Sequence, residues 1–158
     1  MLDDDQPETP TYRLRLWTYG EAVDAIPYLC AVLKSLRDAW LKWGQVRETL
    51  RRLGGASGRL NRAALIRREE ANLDANRAEA EFEEILQELI SLDIACLDPT
   101  QGQALIPFQQ DGLLAWFVFD LFAVQHVNAW RFHSDPIEVQ RPLTGVQRLR
   151  VLSPTHND

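Results

Sequence analysis

The chain has 158 residues, 46% of them hydrophobic, and a formal net charge of -6. That length is one domain's worth and can bury a real core, and the apolar content excludes a wholly disordered chain. Net acidity excludes a surface that attracts nucleic acid everywhere, though local charge is uneven.

Residues 1–10 hold four acids and two prolines, the composition of a disordered acidic tail without a secretory signal. A single domain is expected over 11–152. Tyr12, Leu14 and Leu16 alternate with Arg13 and Arg15, the period of a short strand. Thr18 and Glu21 have capping-box spacing, with Trp17 placed as a staple. Pro27 lies within the helical pattern that follows and predicts a kink near residues 23–27.

Two helices are expected over 19–53 and 59–92, turning back at Gly54-Gly55-Ala56-Ser57-Gly58. The first carries an apolar seam at Ala22, Ile26, Leu29, Leu33, Leu36, Trp40, Trp43, Arg47 and Leu50. The second repeats it at Ala64, Arg68, Ala71, Ala75, Ala78, Phe82, Ile85, Leu89 and Leu92. Steps of four and three keep one stripe of each helix against its partner, so the pair reads as an antiparallel hairpin with coiled-coil packing. At 1.5 Å per residue the first helix would span roughly 50 Å. A hinge near Ala56 would set Trp40 and Trp43 against Ala71 and Ala75, large against small.

After Leu92 the period falls to two. Runs at Ile94–Leu97, Gln103–Phe108, Leu113–Phe119 and Val124–Phe132 predict a small antiparallel sheet over 94–132. Asp98-Pro99 with Gly102 marks one turn, and Asp111-Gly112 marks a tight hairpin. The fold class is therefore α+β. The run 113–119 is apolar on both faces, which calls for cover on both. The hairpin base supplies one cover; a second subunit or the segment Val146–Leu152 would supply the other. Residues 153–158 read as a loose tail.

The segments Asp98-Pro99-Thr100-Gln101-Gly102, Ile106-Pro107, Asp111-Gly112, Trp130 and Arg141-Pro142-Leu143 resemble an uncharacterised bacterial family, domain of unknown function 2203. Trp17-Thr18, Glu21-Ala22 and Ile26-Pro27 agree with the start of that family. The resemblance covers roughly residues 17–143; it is specific at both ends and compositional along the helices. It implies a helical hairpin followed by a small β unit and brings no established activity. The family often has Trp-His where this chain has Trp130-Arg131, and a Gly-Glu-Pro turn where this chain has Ala123-Val124-Gln125.

Charge is the main functional clue. Residues 47–68 hold Arg47, Arg51, Arg52, Arg59, Arg62, Arg67 and Arg68 against Glu48 alone, a local charge of +6. Residues 69–93 hold nine acids against Arg77, a charge of -8. Exposed helix ends are usually charged, and arginine outnumbers lysine 15 to 2 in this chain, so simple solvation of the tip is one reading. As a candidate site the cluster suits an acidic protein surface, a second copy of the chain, another anion or nucleic acid. Nucleic acid fits least, because no aromatic residue between 44 and 81 offers a stacking platform. Arg47 and Arg68, both on the seam, would nearly face each other.

No nucleotide, nucleophile-elbow or zincin motif occurs, and no cofactor is implied. His126, His133 and His156 lack paired ligand spacing, and Asp98 and Asp111 fit turns better than an acid–base pair. The five tryptophans read as core or interface anchors. Cys30 and Cys96 match no metal or redox spacing and read as free thiols of a reducing compartment, the cytoplasm. No stretch approaches the roughly 20 apolar residues of a membrane helix. The leading expectation is a non-enzymatic interaction module, a homo-oligomer assembling through sheet and hairpin. Next comes an anion or nucleic-acid binder acting through the arginines. A small metal-dependent enzyme using Asp98, Asp111, His126 and His133 ranks last.

Overall fold

A computed structural model of the chain describes residues 13–54 and 61–144. The acidic tail, hinge residues 55–58, Arg59, the segment 146–152 and the last tail lie outside the described residues. Three helices, α1 (Tyr19–Asp24), α2 (Ile26–Gly54) and α3 (Arg62–Ser91), precede five strands. These are β1 (Ala95–Asp98), β2 (Gln103–Gln110), β3 (Leu113–Asp120), β4 (Val127–Phe132) and β5 (Arg141–Pro142).

Local chemistry sets the helix ends. The Thr18 side chain accepts from the Glu21 backbone, and the Glu21 carboxylate accepts from the Thr18 backbone, closing the capping box of α1. The kink expected around Pro27 is a full break: α1 ends at Asp24, Ala25 is a turn, and α2 starts at Ile26. Pro27 then falls in the first turn of α2, where its missing N–H leaves no intrahelical bond unmade. The second long helix begins three residues later than expected, because Asn61 caps it by accepting from the Ala64 N–H at 2.8 Å. It ends where Asp93 takes a φ of 59°, and the Ile94 N–H returns to the Leu89 carbonyl.

Helices α2 and α3 pack along the expected stripes. Leu29, Leu33 and Leu36 of α2 and Phe82 and Leu89 of α3 are buried in one core. The pairing register corrects one expectation. Trp40 and Trp43 meet Phe82, with ring centroids 5.2 and 5.7 Å away, two turns further along α3 than Ala75.

The strands form one antiparallel meander in the order β1-β2-β3-β4-β5. Asp111 and Gly112 both have positive φ, 52° and 77°, the backbone of a two-residue primed turn. β4 starts at Val127 rather than 124, because residues 121–126 form a loop closed by the Asp120 N–H on the His126 carbonyl. β5 was not legible. The strand expected near 12–16 does not form over 13–16. That segment meets β2 through the Trp17 N–H, which donates to the Pro107 carbonyl at 2.7 Å.

Ile106, Phe108, Phe117, Phe119 and Trp130 share the sheet face that joins the hairpin base. On the other face, Pro107, Val118, Ala129 and Arg131 are also buried within this one chain. Arg131 lies under the segment after β4, donating to the Asp135 and Ile137 carbonyls. On this face of β3, Val118 is therefore buried without a second subunit, while Leu114 and Trp116 are half-buried.

Candidate functional site

The sheet supports only one end of the hairpin. The last buried residue of α2 is Ala39, and the first of α3 is Ala71. From Trp40 to Gly54, α2 runs on for about 22 Å at 1.5 Å per residue, with α3 beside it. A helix pair without a third layer leaves two flanks open. Leu41, Leu65, Ile66 and Leu73 are exposed on this outer half, at 38%, 51%, 47% and 52%. An open hollow of about 510 Å³ follows α2 from Trp40 past Gly44 and Glu48 to Arg52. It is lined by one helix, so it suits a neighbouring side-chain ridge rather than an enclosed small molecule.

The arginines divide into two groups. Arg47 is not turned into the seam against Arg68. Its guanidinium lies over Trp43, 4.3 Å from the ring centroid, and 5.6 Å from Trp40. Arg51 and Arg52 both reach Glu48, at 2.7 and 3.4 Å. The Arg51 hydrogen bond is the main cause holding the Glu48 carboxyl down at about 2. Arg62, Arg67 and Arg68 are exposed and make no ion pair with another described residue. Arg59 lies outside the described residues. The cluster is thus half committed to its own helix, and its uncommitted half sits on the first turns of α3.

That placement opposes the helix dipole. Cations are favoured at helix C-termini and anions at N-termini. α3 carries Arg62 in its first turn and Glu88 in its last, with Arg67 and Arg68 in the second turn and acids from Glu69 onward. The isolated helix gains nothing from this order.

The residues considered for metal or acid–base chemistry do not converge. Asp98 and His126 lie toward one end of the sheet, Asp111 and His133 at the other, with the eight-residue strands β2 and β3 between. Eight residues span about 26 Å. Each group also has a local task. The Asp98 carboxylate accepts from the Thr100 and Gln101 N–H groups. Asp111 occupies the left-handed turn position. His126 stacks on Phe119, its Nδ1 3.0 Å from the Asp120 carbonyl. The His133 Nδ1 accepts from the Trp116 indole at 3.1 Å. Among the described residues, no three His, Cys, Asp or Glu side chains are grouped to hold a metal ion. His156 lies outside them. Cys30 and Cys96 are free and half-buried, and burial pushes both thiols up, Cys96 to about 11.

One polar cluster was missed. Asp135 accepts both Arg141 Nε and Nη2, at 2.9 and 3.0 Å, and the Phe132 N–H at 2.9 Å. Arg141 also covers the rings of Phe132 and Trp130. The Asp135-Pro136 pair signals a turn, but nothing in the sequence ties it to Arg141 or Arg131. The cluster staples the segment after β4 to the sheet edge.

No protein-family model matches the chain, and neither a curated protein nor a solved structure shows significant similarity to it. No helix among the described residues is long and apolar enough to cross a membrane.

Proposed function

We propose that this chain is a non-enzymatic interaction module that assembles with copies of itself through the outer half of its hairpin. The observation that carries this reading is the exposed apolar set Leu41, Leu65, Ile66 and Leu73 on a helix pair that no third layer among the described residues covers. Ile66 and Leu73 stand seven residues apart on one face of α3, and exposed apolar side chains that share a face mark a surface that meets another. The resemblance to the bacterial family supports the same hairpin-and-sheet plan. With the free cysteines, it supports a place in the bacterial cytoplasm.

Light scattering or sedimentation from about 1 to about 200 µM tests the reading by mass action. The expected result is a mass that rises above the 18.1 kDa of one chain. A single species of that mass over the whole range would sink it.

A second reading has one observation in its favour. Arg62, Arg67 and Arg68 are exposed and make no ion pair with another described residue, a set that can hold phosphates or an acidic protein. It predicts salt-sensitive retention on DNA, RNA or a polyanion matrix. Absence of retention at low salt would remove it.

A further inference from the structure

We infer that the second copy docks antiparallel along the outward stripe of α3, with a two-fold axis at Leu73. The inference rests on the self-assembly reading above and names its contact. The stripe is Arg62, Ile66, Glu69, Leu73, Arg77, Ala80 and Glu84, every one exposed. Its steps of four, three, four, four, three and four keep all seven within a sector of about 80°, at 100° per residue. The buried residues Ala71, Ala75, Ala78 and Phe82 lie on the other side of the helix, against α2.

The stripe is self-complementary about its centre. An isologous interface pairs residue i with j and j with i, so charge must change sign across the axis. Counting outward from Leu73, Glu69 stands opposite Arg77, four residues each way. Ile66 stands opposite Ala80, seven each way. Arg62 stands opposite Glu84, eleven each way. Antiparallel docking of two copies therefore makes Leu73 meet Leu73, Ile66 meet Ala80, and four opposite-charge pairs form around them. A parallel pair would set like charges together at every one of these positions. Arg62, Glu69, Arg77 and Glu84 make no ion pair with another described residue, so all are available.

This pairing also answers the reversed dipole order. The basic start of each α3 lies on the acidic continuation of the other, and charge unfavourable within one helix becomes favourable between two. A helix from 62 to 84 is about 33 Å long, enough for a continuous contact.

Charge reversal tests the register. Arg62→Glu alone and Glu84→Arg alone should each weaken dimerisation about tenfold, since each creates two like-charge contacts per dimer. The double variant Arg62→Glu/Glu84→Arg restores both pairs and should recover wild-type affinity. Leu73→Cys should cross-link to itself on mild oxidation, because only a residue on the axis meets its own copy. Ile66→Cys should cross-link only when mixed with Ala80→Cys. All these positions are exposed, so circular dichroism of each variant should match wild type. If wild type self-associates but single reversals leave its affinity unchanged and Leu73→Cys stays monomeric under oxidation, this contact is wrong while self-assembly stands. If Arg62→Glu abolishes only retention on a polyanion matrix and leaves self-association unchanged, the arginines serve an anion and the contact is likewise overturned. A wild type that never leaves the monomer removes both.

Discussion

Gly102 sits in the turn between β1 and β2 with a φ of +66°, and a Cβ there would lie 2.6 Å from the Leu121 Cβ. Left-handed backbone and a contact to a side-chain root coincide, so Gly102→Ala should cost roughly 1–3 kcal/mol, read by urea unfolding. Two other residues set pH limits. The Tyr28 hydroxyl donates to Glu88 across the hairpin, and burial, then that acceptor, pushes the phenol up from 10.0 to about 12. A raised folded value means the stabilisation is whole below about pH 10 and is lost as pH rises through about 12. Tyr28→Phe should flatten the alkaline fall in melting temperature. Asp135 shows the opposite sign. Its hydrogen bonds from Arg141, the largest cause, hold it down at about 2 against 3.8. That contribution is whole above about pH 4 and lost as pH falls through about 2. Asp135→Asn should flatten the acid limb.

At the scale of elements, the hairpin is a seam with an aromatic knot. Trp40, Trp43 and Phe82 are mutually in ring contact, and they sit where the sheet-backed half of the rod gives way to the open half. Phe82→Ala empties that knot from the α3 side and should cost about 3–5 kcal/mol, with a red shift of tryptophan emission as the two indoles meet water. The stripes were legible because heptad spacing is a property of one helix at a time. The facing of Trp40 and Trp43 was not, because register between helices depends on where each one ends. Asn61 as cap moves the start of α3. Strands behaved likewise. Asp111-Gly112 announces its own turn, so β2 and β3 were placed within a few residues. β5 has two residues and pairs with β4 only after a loop folds back, so no local period marks it.

For the whole molecule, unequal support along the rod has a dynamic consequence. Buried apolar contacts set the free energy of local opening. Backbone amides of α2 beyond Trp40 and of α3 before Ala71 should exchange faster than those around Leu33, Leu36 and Leu89 in dilute protein. At concentrations where copies associate, the α3 amides should slow first. Equal protection along the rod in the dilute state would contradict the division drawn from burial.

Several cap and turn residues of the sequence are determinants of the fold. Thr18 and Glu21 cap, Pro27 opens α2, Asp98 and Gly102 shape a turn, Pro107 accepts the Trp17 N–H, and Arg141 lies on Trp130. Capping, helical period and tight-turn backbone are local, so the order of letters alone determined the α+β plan, the two stripes and an antiparallel sheet after them. It also contained the charge antisymmetry of α3, which needs only counting. Tertiary structure alone decided that Arg47 rests on tryptophan, that Arg51 and Arg52 share Glu48, and that Val118 on the outer face of β3 is buried from within. Each of those outcomes joins residues through space, where packing and desolvation, rather than spacing along the chain, select the partner.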